Sequence, residues 1–331
     1  MDLNLRIKNI SIGEPSFFRG LSMFPIQSES VDPPGYLTLA EALSAGAVSV
    51  LEKSTGGVVS EVKIANHGAE KVLILEGEEI MGAKQNRTVN LTILLKEMSE
   101  RAVPVTCVEA GRWAYQTQEF HVSGECHFAK ARRKKQMSVT YSMRSHGERA
   151  ADQSEVWNDI QEKMFSMKVS SPTSAMREVF ETHADDLQAF VEAMPAVEGQ
   201  AGAVFAIGPR LVGLDLFDSA PTWRKMHARL LRSYAIDAIE EEQKDGRPTF
   251  TGSLSEVLLR DLSACEQTSH DALGLGSDIR FTSPRLHGAA LAWDERLIHL
   301  SAFWEEERSN PGYEENSRIS RPSRRRNLRR G

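Results

Sequence analysis

The chain has 331 residues, 40% hydrophobic and 26% charged, with a formal net charge of −6. That length can bury a large core, and no run approaches the ~18 apolar residues of a membrane span. Residues 1–10 lack the apolar centre of a signal peptide, and Cys107, Cys126 and Cys265 stand in unrelated settings, so a cytoplasmic protein without a disulfide framework is expected.

Charge is spread unevenly. Eight arginines against Glu314 and Glu315 give residues 308–331 a charge of +6, which leaves −12 on residues 1–307. An acidic body with a basic tail is a poor general binder of nucleic acid, although a local patch could still bind.

In chain order, residues 4–12 alternate weakly, as a first strand would, and residues 31–36 form a loop around two prolines and Gly35. Thr38 and Glu41 make a capping box that opens a short helix, and Gly46 is placed to end it. Strand-like runs at 47–51 and 58–64 follow, and a turn at 66–68 leads into residues 71–113.

That stretch holds three β-branched runs, 72–75, 89–95 and 103–108, separated by polar or glycine-containing segments. If neighbouring runs pair antiparallel, one rim of the sheet collects Glu76, Glu78, Glu79, Gln85, Asn86, Arg87, Glu109, Arg112 and Trp113.

Residues 116–149 show little pattern and read as a long irregular excursion, with a strand over 137–141 and the basic run KARRKK at 130–135. A helix is expected over 152–167. A second, starting at Ser171 and Pro172 and ending before Pro195, carries Met176, Val179, Phe180, His183, Leu187, Phe190, Val191 and Met194 at helical spacing.

Two hairpins follow that align without gaps, residues 202–217 with 288–303, sharing seven identities that include Gly202/Gly288, Arg210/Arg296 and Phe217/Phe303. They should occupy related places in a sheet, through duplication or through shared hairpin chemistry. Helices over 219–242 and from a capping box at Ser253 and Glu256 lie between them. After Trp304 the apolar pattern stops, and residues 306–331 read as a disordered, Arg-rich tail.

The rim concentrates the chemistry. Arg87 and Arg112 are suited to fork a phosphate or carboxylate, and Trp113 to stack a planar base. Glu76, Glu79, Gln85 and Asn86 could bond a ligand, and Glu78 and Glu109 are the candidates for acid–base work. Gly77, Gly82 and Gly111 permit backbone bends. A structural network in which Arg and Glu satisfy one another explains the same residues.

Cys107 amid valines reads as a small core hydrophobe, and His121, Cys126 and His127 match no zinc spacing, so no metal site is expected. His227 and His299 read as hydrogen-bonded core histidines. Residues 130–135 lack interleaved aromatics, which leaves base stacking unsupported.

At GEEIMGAKQNRT followed by VPVTCVEAGRW the chain resembles the poorly characterised family that carries the ARG and rhodanese-phosphatase superfamily-associated protein domain. The likeness rests on Gly77, Glu78, Gly82, Gln85, Arg87, Cys107, Glu109, Gly111, Arg112 and Trp113, and extends to about Phe303. The family takes its name from association with ADP-ribosylglycohydrolases and phosphatase-like proteins, and the resemblance therefore implies a context of NAD or ADP-ribose metabolism. It supplies neither catalytic residues nor a cofactor.

The expected fold is α+β: an antiparallel, β-rich, sandwich-like core with helices and two C-terminal hairpins, in one domain over residues 1–305. The expected function is binding or processing of a nucleotide- or ADP-ribose-like, phosphate-containing ligand at the 76–113 rim. The alternative is a non-enzymatic binding or scaffold protein with a structural Arg/Glu network. A weaker alternative is accessory RNA binding through the tail and residues 130–135. Enzyme and binding protein are both compatible with these residues.

Overall fold

The structure is a computed structural model that describes residues 11–27, 35–54, 56–242, 250 and 253–305. The expected strand start at 4–10, most of the 31–36 loop and the basic tail lie outside the described residues.

The first half is almost all strand: β1 (Ser11–Ile12), β2 (Ser16–Phe18), β3 (Leu21–Gln27), β4 (Tyr36–Thr38), helix α1 (Leu39–Ser44), β5 (Val48–Glu52), β6 (Glu61–Asn66), β7 (Lys71–Ile74), β8 (Glu78–Gly82), β9 (Arg87–Val89), β10 (Ile93–Leu95), β11 (Ser99–Cys107) and β12 (Phe120–Cys126). Helices α2 (Ala129–His146), α3 (Gln153–Ser166), α4 (Arg177–Thr182) and α5 (Ala184–Ala193) come next. The last part is β13 (Gln200–Ile207), β14 (Arg210–Phe217), α6 (Ala220–Glu242), α7 (Leu254–Ser263), β15 (Glu266–Asp271), β16 (Ser277–Thr282), β17 (Leu286–Trp293) and β18 (Arg296–Trp304). The protein is an α+β fold with a β-rich core.

Three sheets result. The largest runs β1-β3-β13-β14-β18-β17-β16-β15, with β2 also paired to β3. A six-stranded sheet runs β12-β8-β9-β11-β6-β5, and a three-stranded one runs β10-β7-β4. Only the β4–β7 pairing is parallel among the described pairs. One apolar cluster joins Met23, Phe205 and Phe303 of the large sheet to Trp223, Leu230 and Tyr234 of α6. A second joins Val204, Leu214, Phe281 and Leu300 to Leu254, Leu258 and Leu262 of α7. With both faces covered, β13 is buried along its whole length, and its sequence reads as continuous apolar residues rather than as an alternation. The third cluster fills the two smaller sheets beneath α1.

The two similar hairpins are β13–β14 and β17–β18, and β14 pairs with β18. Asp215 lies opposite Ser301, its own counterpart in the alignment, while Phe217 faces His299 and Gly213 faces Phe303. Both hairpins bulge at the same aligned place, between Phe205 and Ala206 and between Leu291 and Ala292. They are therefore related by a local twofold that passes between Asp215 and Ser301.

Four expectations are corrected. Residues 116–149 are strand β12 and helix α2, and the expected strand at 137–141 lies inside that helix. The inward stripe of α2 includes Arg132, Lys135 and Gln136, so no apolar period marks it. The helix expected up to Pro195 is two, α4 and α5, broken at His183. The Thr38–Glu41 capping box is formed, whereas Ser253 caps α7 without a side-chain hydrogen bond.

Candidate functional site

The rim residues divide among three places. Gln85, Asn86, Arg87, Glu109, Arg112 and Trp113 form one node at the end of β9 and β11. Asn86 donates its backbone N–H to Glu109 Oε2 (3.1 Å), Gln85 Nε2 donates to the Glu109 carbonyl (2.9 Å), and the Cys107 thiol donates to Gln85 Oε1 (2.9 Å). Thr173 Oγ1 holds the other Glu109 oxygen at 2.9 Å. Gly111 permits this closure, because a Cβ there would stand 2.8 Å from Thr173 Cα.

Arg112 has no donor left over. Its Nε meets Glu109 Oε2 (2.9 Å), Nη1 meets the carbonyls of Ala83 (2.8 Å) and Ala114 (2.9 Å), and Nη2 meets Asn86 Oδ1 (3.0 Å) and the Gly82 carbonyl (3.4 Å). Burial pushes the Glu109 carboxyl up, but Arg112, the Asn86 amide and Thr173 outweigh it and hold it below the ordinary range. Arg87 is fully buried, with Nη1 on the Val58 and Val59 carbonyls and Nη2 3.3 Å from Glu52.

Beyond the node, side chains stack outward. The Arg87 guanidinium lies 5.6 Å from the Trp113 ring centre, and Lys84 Nζ lies 5.3 Å from Trp113 and 5.1 Å from Tyr115. Trp113 and Tyr115 keep 45% and 43% of their surface exposed. This tip is the part of the rim that faces solvent.

Glu78 and Glu79 lie elsewhere, on β8. Glu78 is buried and paired with Arg229 of α6, and Leu75 N–H also donates to it (3.2 Å). Glu79 is wholly buried where β12 bulges past it. No hydrogen bond of normal geometry reaches either Glu79 oxygen among the described residues, although the Ser123 hydroxyl is near enough to act on the charge. Burial raises the Glu79 carboxyl to about 7, against the pull of Ser123 and Arg177.

Glu76 belongs to a third place, a buried polar hub on the local twofold. Asp215 binds Arg132 at two points (2.7 and 3.0 Å), Tyr234 Oη (2.8 Å) and His299 Nε2 (3.3 Å). One turn along α2, Gln136 donates to Ser301 Oγ (2.8 Å), which donates to Glu76 Oε2 (3.2 Å). Burial alone would raise the Asp215 carboxyl, but Arg132 and His299 hold it far below its ordinary range.

Asp215, Arg132 and Tyr234 escaped the reading of the sequence. The usable signal was an acid in the middle of an apolar strand (LVGLDLF), which demands a buried partner.

The family comparison spans all three places. A model of the ARG and Rhodanese-Phosphatase-superfamily-associated Protein domain matches residues 9–303. The chain belongs to this family. No curated protein and no solved structure matches it. In this family member, Gly77, Glu78, Gly82, Gln85, Arg87, Cys107, Glu109, Gly111, Arg112 and Trp113, which carried the resemblance, form the node and the adjoining β8 strand. No group of three or more His, Cys, Asp or Glu side chains is placed to hold a metal among the described residues.

A cavity of about 1020 Å³ lies elsewhere, between α2, the end of α6 and the β13–β14 turn. Most of its wall charges are matched within the chain: Arg210 pairs with Glu241, Arg260 with Asp261, Arg133 with Glu305, and Lys163 Nζ sits 2.5 Å from both Asp237 and Glu240. The basic run on α2 is divided as well. Arg132 and Lys135 point into the core, and Lys134 pairs with Asp159. No described helix is long and apolar enough to cross a membrane.

Proposed function

We propose that the protein binds a planar, phosphate-bearing ligand of nucleotide or ADP-ribose type at the Trp113–Lys84–Tyr115 tip, with the node behind it as a rigid support. The observation that carries this reading is an ammonium set between two half-exposed rings. An aromatic face stacks a base whatever its identity, and a lysine meets phosphate as a point charge. The family's association with ADP-ribose chemistry agrees with it.

The test is a thermal-shift series with ADP-ribose, NAD and AMP. A ligand-dependent rise in melting temperature should appear in wild type and vanish in Lys84→Ala. No shift from any of the three at millimolar concentration would refute it.

A second reading, a scaffold with a purely structural network, is favoured by the saturation of Arg112. It expects Arg87→Ala and Arg112→Ala to lose stability and no phosphate ligand to bind at all.

A further inference from the structure

Thr92 lies in the turn between β9 and β10, part-exposed at the lip of a small crevice against β16, β17 and β18. Its Oγ1 is 2.9 Å from His299 Nδ1, and His299 Nε2 is 3.3 Å from Asp215 Oδ1. Asp215, held as a carboxylate by Arg132, can only accept, so Nε2 carries the ring proton toward it. In the neutral ring Nδ1 is then the acceptor, and the Thr92 hydroxyl donates to it. The Glu76 backbone N–H donates to the same hydroxyl oxygen (3.2 Å) and fixes its orientation. A hydroxyl on a histidine that is itself oriented by a buried carboxylate is the arrangement of an activated nucleophile.

The crevice supplies the other half. Arg280 lines it, is almost fully buried and holds Asp278 at 2.6 and 2.8 Å, yet its Nη1 has no hydrogen-bond partner among the described residues. The space is about 10 Å³, enough for one oxygen atom and not for a whole substrate. It therefore suits the oxyanion of an acyl group whose remainder stays outside at the lip. Glu76 opposes negative charge there, with Arg132 3.9 Å away as the counter-charge.

We propose that Thr92 is an acyl acceptor, with His299 as its general base and Asp215 as the residue that positions His299. Thr92 Oγ1 bonds to the carbonyl carbon of an activated ester while its proton passes to His299 Nδ1. The carbon–oxygen bond to the alcohol then breaks, and the leaving alkoxide takes that proton. The products are O-acyl-Thr92 and free alcohol.

The full chain is incubated with an aryl acetate, and peptides are read by mass spectrometry. Acetyl on Thr92 is expected in wild type and Thr92→Ser and none at position 92 in Thr92→Val. The rate should fall roughly 100-fold or more in His299→Gln, the usual weight of a general base. Absence of acetyl from Thr92, or an unchanged rate in a folded His299→Gln variant, overturns the proposal. Should His299→Gln not fold, the wild-type and Thr92→Val comparison decides alone.

Discussion

Arg112 Nε lies 2.9 Å from Glu109 Oε2, and the same guanidinium reaches three backbone carbonyls and Asn86. A side chain that joins β8, β9 and the turn after β11 is a brace. Removing it leaves Glu109 buried without its cation, so Arg112→Ala should cost about 3–5 kcal/mol in urea unfolding. Arg112→Lys should recover little, because an ammonium cannot reproduce the planar fork. A fully stable Arg112→Ala variant would remove the brace from the account.

Glu79 should leave a signature in the pH dependence of stability. Its carboxyl is raised in the folded state from 4.5 to about 7, so between those values the folded chain binds the extra proton. Stability from this group is complete below about 4.5, falls as pH rises, and levels off above about 7. Glu79→Gln, which keeps the neutral shape, should flatten that slope. It should exceed wild type at pH 8 by on the order of 3 kcal/mol. Parallel stability curves for the two proteins would show that the carboxyl ionises as freely in the fold as in the open chain.

Gly77 has φ +84°, and a Cβ there would stand 2.7 Å from Cys126 Sγ. Gly77→Ala combines a left-handed backbone with a core clash, and should lower stability by roughly 1–3 kcal/mol. Calorimetric melting of the variant measures it directly.

The three cysteines should be slow thiols. Burial raises Cys107 to about 11 and Cys126 to about 12, whereas Cys265 is only part-buried. Labelling of native protein at neutral pH should therefore reach Cys265 first, and the other two only on unfolding. Prompt modification of Cys107 would contradict the packing of the node.

Much of this organisation was legible in the sequence. The runs at 72–75 and 103–108, the Thr38 cap and the repeated hairpin each carry a local signal, and each forms. The run expected over 89–95 is instead two strands, β9 and β10, in different sheets, and β8 forms where only a separating segment was expected. Helix α2 was not legible, because its buried positions include Arg132, Lys135 and Gln136, whose partners Asp215, Val89 and Ser301 are remote in the chain. For the same reason the expected common rim divides. Period and turn residues place Glu76, Glu78 and Glu79 near one strand end, but alternate side chains leave a strand on opposite faces and meet different neighbours. The hub depends on the pairing of β14 with β18, which no local pattern encodes.

On the proposed function, the Trp113–Lys84–Tyr115 tip takes a ligand while the node behind it does not. Titration calorimetry of ADP-ribose into wild type and Trp113→Ala tests this most directly. Saturable heat in wild type, absent from a Trp113→Ala protein of unchanged melting temperature, is the predicted result. Equal heats in the two proteins would contradict it, as would none in either.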